Sequence, residues 1–235
     1  MRLVHYGLGD TMKARATTMT EKHSNYIPAL NQNWLTPLFD PLLRYIMHED
    51  IFKRRLVDQA NPQPNERILD LGCGTGTLVI MFQRRQPAAE MVGLDGDDQV
   101  LEIARQKAKQ AGLTTIRWDK GLANDLPYPV DSFDKVVSSL MLHHLTLPDK
   151  RRAFQEVFRV LKPGGSFHIA DFGPPHDGLM RFVARYMSRL ERTADNFRGQ
   201  IPLLLSEAGF SLVEETGHLH SAFGPLSLYR SVRPI

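Results

Sequence analysis

Residues 68–76 read ILDLGCGTG, and the construction of this stretch decides the fold class. Its apolar start, broken only by Asp70, predicts a buried strand that ends in a tight turn. Gly72, Gly74 and Gly76 take alternate positions in that turn and have no side chains to pack. Glycine occurs where the backbone takes a positive φ or where another group approaches it closely. The turn therefore predicts a ligand lying against bare backbone.

Apolar segments of strand and helix length alternate through most of the chain, which predicts βαβ units and a parallel sheet covered on both faces. The tail differs, because two strands follow one another without a helix and predict a terminal hairpin. We expect an α/β fold with a seven-stranded, mostly parallel sheet and one antiparallel strand contributed by this hairpin. The expected strands are 67–71, 91–95, 114–118, 133–140, 166–172, 210–217 and 225–233. The expected helices are 77–85, 97–111, 149–161 and 200–208, with Gly112 as the C′ glycine that ends the second helix and LKPGG at 161–165 as a turn.

The remaining segments suggest how the chain is organised. Residues 1–24 are polar and aperiodic, which predicts a mobile N-terminal arm. Residues 25–60 have apolar positions three and four apart, interrupted by prolines, and predict short helices. The Pro/Asn linker that starts at residue 61 separates them from a main domain over 61–235. A further helical segment, 177–196, is expected as an insertion in that domain.

Composition limits the classes of partner and location. The chain has 235 residues and a net charge of +3, and its Lys and Arg residues are spread along it, so we expect no nucleic-acid partner. Its single cysteine, Cys73, excludes an intrachain disulfide and fits a reducing compartment. No apolar run reaches the ~20 residues of a membrane span, and the N-terminus has no continuous apolar stretch typical of a secretory signal. A cytoplasmic location is expected.

The spacing of the glycines separates two classes of nucleoside ligand. A dinucleotide site has the pattern G-x-G-x-x-G, whereas this turn has G-x-G-x-G preceded by Asp70. A carboxylate there disfavours a phosphate and suits a cationic or zwitterionic ligand. Asp95 ends the next strand, where an acidic side chain can accept both ribose hydroxyls. Asp95 could instead be the N-cap of the following helix, but Asp97 and Asp98 can fill that role.

Four motifs in register make the chain resemble a known family. ILDLGCGTG, VGLD, GLANDLPYPVDSFDKVVSSLMLHHL and RVLKPGG occur in this order between about residues 60 and 172. With these motifs the chain resembles the class I S-adenosylmethionine-dependent methyltransferases, and most of all the ubiquinone/menaquinone-biosynthesis type. The resemblance implies a Rossmann-like fold, a helical lid over 25–60, and S-adenosylmethionine as methyl donor with S-adenosylhomocysteine as product. It also implies a small apolar or aromatic acceptor, such as a quinone precursor or a phenol.

The resemblance also implies which residues bind the cofactor. The methionine moiety would meet the loop backbone near Asp70, the ribose would meet Asp95, and the remaining residues would flank the adenine or the sulfonium. These residues are Asp70, Gly72, Cys73, Gly74, Asp95, Gly96, Asp97, Leu122, Ala123, Ser139 and Leu140. The family usually has an acidic residue before the alanine, whereas this chain has Leu122, which packs on a ring but accepts no hydrogen bond. Asn124 and Asp125 are the candidates to replace it.

Three residues are candidates for catalysis. His143 and His144 follow the fourth strand, where a histidine can act as base near neutral pH, and His144 is the first choice. Capping a helix and packing under the lid are the alternative roles. Asp171 ends the fifth strand and either orients an acceptor or caps a loop. The other histidines considered, His176, His218 and His220, are expected in solvated loops, and no metal site is predicted.

Aromatic residues and a basic stripe bear on the acceptor. Tyr26, Trp34, Phe39 and Tyr186 are expected to line the acceptor pocket, unless they pack on the sheet. Arginines in the 177–196 helix recur at helical spacing, either as a solvated face or as a contact with anionic lipid. The stripe consists of Arg181, Arg185, Arg189 and Arg192.

Other functions remain open from the sequence. A phospholipid-headgroup N-methyltransferase and a cofactor-binding module without transfer activity are the alternatives, while a nicotinamide oxidoreductase is disfavoured by Asp70. The acceptor atom and the oligomeric state are not predicted, since fold alone does not settle function.

Overall fold

The computed structural model describes residues 49–187, 194–221 and 223–235, which form a central sheet with helices on both faces. The strands are β1 (Arg67–Leu71), β2 (Glu90–Asp95), β3 (Arg117–Lys120), β4 (Phe133–Ser139), β5 (Leu161–Phe172), β6 (Ser211–Ser221) and β7 (Gly224–Val232). The helices are α1 (Glu49–Ala60), α2 (Thr77–Arg85), α3 (Asp98–Gln110), α4 (Leu147–Val160), α5 (Gly178–Met187), α6 (Ala194–Phe197) and α7 (Ile201–Glu207). A single 3₁₀ turn covers Leu142–His144.

The order of the strands places the candidate site. The described residues form a seven-stranded sheet with the order β3-β2-β1-β4-β5-β7-β6. Strands β1 to β5 are parallel, and β7 pairs antiparallel with both β5 and β6, so the predicted fold and its terminal hairpin are confirmed. The order reverses between β1 and β4, whose carboxyl ends lie side by side. Ligands bind at such a reversal in open α/β sheets.

Alternation along β1 divides the core into two layers. Ile68 packs with Phe52 and Phe82 on the side of α1 and α2. Leu69 and Leu71 pack on the opposite side with the cluster that contains residues of α4 and α7. Because successive side chains in a strand point to opposite faces, a strand buried on both faces is apolar nearly throughout. This places Asp70 on the same face as Ile68, inside the core.

Three predicted boundaries are wrong, and one of them is the end of β6, which was expected at residue 217 and lies at Ser221. Strand β3 was expected over 114–118 but begins only at Arg117, which pairs with Val92. The chain must first leave the end of α3, where Gly112 has a φ of 74° and caps the helix as expected. The LKPGG segment was expected as a turn but belongs to β5, where residues 162–165 lie in a register shift between the pairs Phe133–Leu161 and Lys135–Ser166. A proline is tolerated in a strand at such an irregularity.

The segment expected as a lid is described only at its end. Helix α1 covers the sheet there, with Phe52 and Leu56 wholly buried. The arm over 1–24 and the rest of the lid segment lie outside the described residues, as do Tyr26, Trp34 and Phe39. The lid therefore stays a prediction.

The helices of the described residues are short, and the longest of them, α4, has 14 residues. None of the helices in the described part of the chain is both long enough and apolar enough to span a membrane. The cytoplasmic location stays a prediction.

Candidate active site

The loop between β1 and α2 is shaped by its glycines. Gly72, Gly74 and Gly76 have φ values of 72°, 52° and 75°, all in the left-handed region that favours glycine. Gly76 is also the N-cap residue of α2. The alternate spacing seen in the sequence is therefore a backbone requirement of this strand-to-helix turn.

Only one of the three glycines faces open space. A Cβ atom on Gly72 would lie 2.2 Å from Cγ of Met141, and one on Gly76 would lie 2.5 Å from Cη2 of Trp118. A Cβ atom on Gly74 would meet nothing within 4 Å. Protein side chains therefore pack on the Cα side of Gly72 and Gly76. Gly74 leaves the space in which a ligand can lie.

The N–H groups of the loop are held by the neighbouring strand. The carbonyl oxygen of Leu94 accepts hydrogen bonds from the N–H groups of Gly72 and Cys73, both at 2.9 Å. Oδ2 of Asp95 accepts one from the N–H of Gly74, also at 2.9 Å. These bonds fix the loop without a ligand. Burial raises the pKa of the Cys73 thiol well above its usual value, which keeps the thiol protonated and unreactive.

Asp95 links the glycine loop to the start of α3. Its Oδ1 accepts a hydrogen bond from the N–H of Asp97 at 3.1 Å, across Gly96. Asp97 in turn caps α3 by accepting from the N–H of Gln99 at 2.8 Å, as the sequence predicted. Burial raises the pKa of Asp95, and the backbone donors oppose that shift. The carboxylate keeps part of its surface exposed and can still accept hydroxyl donors.

Asp70 is a buried carboxyl group with unmet hydrogen-bonding capacity. The residue is 1% exposed, and within the described residues neither oxygen has a hydrogen-bond partner. Burial raises the pKa of Asp70 to about 7. The positive charge of Lys53 opposes this rise, and the negative charge of Asp95 adds to it. A buried anion of this kind is costly unless a cation meets it. The ammonium group of the methionine moiety has the required charge, so S-adenosylmethionine fits these residues.

The carboxyl end of β4 contains a strained residue next to the loop. Leu140, which follows Ser139, has a φ of 50°, and its N–H donates to the carbonyl of Ala170 at 2.9 Å. Left-handed backbone is costly for a leucine and often occurs at functional sites. Met141 comes next and packs on Gly72. Sequence reasoning missed Met141, since nothing local distinguishes it from any apolar residue after a strand.

The segment expected to cover the adenine contains two candidate acceptors, one of them anchored to a helix. Leu122 and Ala123 are partly buried, and Leu122 forms an isolated bridge with Asp125. Nδ2 of Asn124 donates to Oδ1 of Asp149 at 2.9 Å, which ties Asn124 to the start of α4. Asp125 is exposed. Both proposed replacements for the missing acidic residue keep an oxygen that can accept a hydrogen bond: Oδ1 of the anchored Asn124 and the carboxylate of Asp125.

Asp171 and His143 form a buried pair. Nδ1 of His143 lies 3.0 Å from Oδ1 of Asp171, and His143 is 7% exposed while Asp171 is not exposed at all. The backbone N–H groups of Leu142 and Phe172 also donate to this carboxylate, each at 2.8 Å. Burial alone would raise the pKa of Asp171, but His143 and these donors hold it below its usual value. Asp171 thus contacts the 3₁₀ turn and does not reach the solvent.

The pair sets the tautomer of His143. A carboxylate accepts hydrogen bonds, so Nδ1 of His143 carries the proton and Nε2 has the free lone pair. The ring of His144 lies 4.0 Å from that of His143, between centroids, and His144 is exposed. Partial desolvation and the neighbouring His143 lower the pKa of His144 to about 4. His144 is therefore a weaker base than an ordinary histidine.

A buried chain of polar groups leads from Asp171 to α4. Nδ2 of Asn196 donates to Oδ1 of Asp171 at 3.0 Å, and Oδ1 of Asn196 accepts from Nζ of Lys150 at 2.7 Å. Lys150 has no exposed surface, and burial lowers its pKa. Asp195 lies 3.9 Å from the same ammonium group. Sequence reasoning missed Lys150 and Asn196, because the contacts between Lys150, Asn196 and Asp171 join segments that are far apart in the chain.

The inserted segment has an exposed apolar face. In α5, Leu179, Phe182 and Tyr186 are 68%, 74% and 62% exposed. Tyr186, expected to line the acceptor pocket, is therefore not enclosed by the described residues. Arg181 and Arg185 are exposed beside these side chains. The other two arginines of the predicted stripe lie outside the described residues.

Comparisons with known proteins agree with this geometry. The pattern of the methyltransferase domain family matches residues 68–165. The chain is 38% identical to demethylmenaquinone methyltransferase of Thermus thermophilus over 159 residues, which are 66% of this chain and 71% of that protein. It is 29% identical to the ubiquinone/menaquinone biosynthesis C-methyltransferase UbiE of Vibrio vulnificus over 206 residues, covering 78% and 77% of the two chains.

A solved structure shares the fold. The YcgJ protein of Bacillus subtilis has a TM-score of 0.63 and 20% identity, and the match covers 78% of this chain and 98% of that one. At this level of identity the likeness concerns the fold alone. Together with the 38% identity to the Thermus protein, it leads to one conclusion. The chain belongs to the class I S-adenosylmethionine-dependent methyltransferases and is an enzyme close to the ubiquinone/menaquinone-biosynthesis type.

Proposed function

We propose that this enzyme methylates a hydroquinone-like aromatic acceptor. The observation that carries the proposal is the buried Asp171–His143 pair, which lies on the carboxyl side of β4 and β5. A phenolic hydroxyl must lose its proton to become a strong nucleophile, whereas a neutral amine needs no base before it attacks. An oriented imidazole with a free Nε2 therefore supports a hydroxyl-bearing acceptor.

The residues around the glycine loop would hold the cofactor. When bound, S-adenosylmethionine supplies an electrophilic methyl group on a sulfonium. The buried carboxylate of Asp70 would attract its ammonium group electrostatically from beneath the loop, Gly74 would admit it against bare backbone, and Asp95 would accept from the ribose hydroxyls. Gly96, Asp97, Leu122 and Ala123 are proposed to flank the adenine, and Ser139 and Leu140 the sulfonium.

His143 would act as the general base, in place of His144. Its Nε2 accepts the hydroxyl proton of the acceptor, and the electron density left behind makes a ring carbon or the oxygen nucleophilic. Asp171 stabilises the imidazolium that forms, as a buried carboxylate does in other acid–base pairs. His144 is exposed, and its lowered pKa leaves it with less driving force to accept a proton.

The names of two relatives support a quinone-like acceptor. One is called a demethylmenaquinone methyltransferase, and the other is called a C-methyltransferase of ubiquinone and menaquinone biosynthesis. The second name favours a carbon atom as the methylated atom here. Acceptors of that kind are apolar, which agrees with the exposed apolar face of α5.

That face supports a contact with membrane lipid during catalysis. Leu179, Phe182 and Tyr186 expose apolar surface next to Arg181 and Arg185, a combination that suits the boundary between headgroups and acyl chains. A phospholipid-headgroup N-methyltransferase would use the same face. The choice of acceptor, not lipid binding, therefore separates these two functions.

A transfer assay with labelled S-adenosylmethionine tests the acceptor and the base together. We expect transfer to 2-prenyl-1,4-naphthohydroquinone, kept reduced, and none to phosphoethanolamine. His143→Gln should lower kcat by about 10² or more, within the range for loss of a general base, and leave cofactor binding unchanged. The matched variant His144→Gln should retain most activity. Transfer to phosphoethanolamine alone contradicts the proposed acceptor, and a larger loss in His144→Gln contradicts the assignment of the base.

Vesicle co-sedimentation tests the lipid contact separately. We expect the protein to sediment with vesicles of phosphatidylglycerol and to be released by Phe182→Ser combined with Tyr186→Ser. The control Leu203→Ser removes an exposed apolar side chain from α7 and should have no effect. Equal binding by both variants would show that α5 is not the lipid contact.

A further inference from the structure

A cluster of three potential metal ligands lies outside the candidate active site. His176 follows β5 in a loop, and Glu215 and His218 belong to β6. Nε2 of His176 lies 2.9 Å from Oε1 of Glu215, and the rings of His176 and His218 stack with their centroids 4.1 Å apart. One ligand atom from each residue can be chosen so that all lie within 4.8 Å of one another.

A bulge in β6 brings two of these ligands to one face. In a regular strand, residues three positions apart point to opposite faces. The register shifts between Glu215, which pairs with Tyr229, and Gly217, which pairs with Leu228. The extra residue restores a common face for Glu215 and His218, since a bulge places two residues opposite one and re-aims the side chains that follow. The expectation that His218 and His220 lie in loops is therefore wrong, because both lie in β6.

We propose that His176, Glu215 and His218 bind a divalent transition metal, with zinc as the best match. Two imidazole nitrogens and one carboxylate oxygen form a common zinc donor set that leaves a fourth position for water. Zinc–ligand distances of about 2.0–2.2 Å need ligand atoms about 3.4 Å apart in a tetrahedron. The exposed side chains reach this spacing by small rotations. The negative charge of Glu215 partly neutralises the metal.

The site would fasten the loop after β5 to the edge of the sheet. This loop starts after Asp171 and Phe172 and leads into α5. A second pair joins the same two elements, since Nε2 of His220 lies 2.8 Å from Oδ2 of Asp177. A metal bound by His176 and β6 would therefore hold the start of α5 in place. No ligand spacing in the sequence suggests this site, because one ligand comes from the loop and two are aligned by a bulge.

Calorimetric titration of zinc chloride into the tag-free, chelator-treated full chain tests the proposal. We expect one zinc ion per chain, with affinity reduced at least about tenfold, or 1.4 kcal/mol, in His176→Ala and in His218→Ala. Glu215→Gln keeps the shape of the side chain and should also weaken binding. The control His220→Ala removes a neighbouring histidine from the same strand and should bind as the wild type does.

Two results would overturn the inference. One is the absence of zinc binding by the wild-type chain. The other is an affinity that His176→Ala and His218→Ala leave unchanged, which would place the metal on other histidines. Circular dichroism of each variant confirms that it is folded. Should an alanine variant unfold, His218→Gln and Glu215→Gln provide the same comparison with less loss of packing.

Discussion

Replacing Asp70 by asparagine should make the cofactor-free enzyme more stable and its binding of S-adenosylmethionine weaker. The carboxyl group is buried, and its pKa is raised from 3.8 to about 7. That difference corresponds to roughly 4 kcal/mol of unfavourable ionisation in the folded state. A buried, unpaired amide costs about 1–3 kcal/mol. We therefore expect Asp70→Asn to gain about 1–3 kcal/mol of unfolding free energy at pH 8, or roughly 2–4 °C in Tm for each kcal/mol.

The pH dependence of this gain identifies its cause. Between pH 3.8 and about 7 the folded wild type keeps a proton that the unfolded chain has lost, so its stability falls as the pH rises through this window. Above the window both states are ionised and the effect is constant. The advantage of Asp70→Asn should therefore shrink by about 2 kcal/mol between pH 7.5 and pH 5.5. Urea unfolding at both pH values measures it.

Ligand binding provides a second measurement. The ammonium group of S-adenosylmethionine should lower the pKa of Asp70, so binding at pH 6 should release a proton from the wild type. Titration calorimetry in buffers of different ionisation enthalpy detects that proton, and Asp70→Asn should not release it. Asp58→Asn, which changes an exposed carboxylate of α1, is the matched control. A stability difference independent of pH, or equal proton release in the variant, would refute the role given to Asp70.

Other substitutions test the loop and the polar chain. Asp95→Ala removes the acceptor of the Gly74 N–H and should weaken S-adenosylmethionine binding at least about tenfold by calorimetry, and unchanged affinity would contradict the ribose contact. Gly72→Ala should lower Tm, because the added Cβ would clash with the side chain of Met141. Gly74→Ala has room for its Cβ and should cost only about 1–2 kcal/mol of backbone strain, yet it should still weaken cofactor binding. Asn196→Leu should lower kcat for the hydroquinone about tenfold and shift its pH profile, with cofactor affinity unchanged, because Asp171 loses a donor. A change in Tm without a change in the pH profile would show a structural role only.

Signals within short segments of the sequence were sufficient to predict much of the fold. The strand, turn and helix around residues 67–85 appear with the predicted bounds, because an apolar run, alternate glycines and helical spacing each act over a few residues. The helix cap at Gly112 was predicted for the same reason. Strand β3 was misplaced because its start depends on where the chain reaches the sheet edge. The LKPGG segment lies inside β5 although residues 162–165 have no partner in β4, so the turn-forming residues mark an irregularity within a strand that continues past them.

The candidate site was predictable to a lesser extent. The positions of Asp70 and Asp95 at the ends of strands follow from the parallel sheet, since such ends meet at one edge. The absence of partners around Asp70 within the described residues does not follow from the sequence, because it depends on what surrounds the carboxyl group in the core. The choice between His143 and His144 also required the structure, because only the distance to Asp171 distinguishes two adjacent histidines.

The sequence by itself determined the fold class, the glycine loop and the class of cofactor, because each rests on short segments whose chemistry is local. The tertiary structure alone decided which glycine faces open space, since the side chains that pack on the others come from β3 and from the end of β4. It also brought together the hydrogen-bonded series of side chains that runs from Lys150 through Asn196 and Asp171 to His143. These contacts join residues far apart in sequence, and their proximity follows from strand order and helix packing, which no single segment encodes.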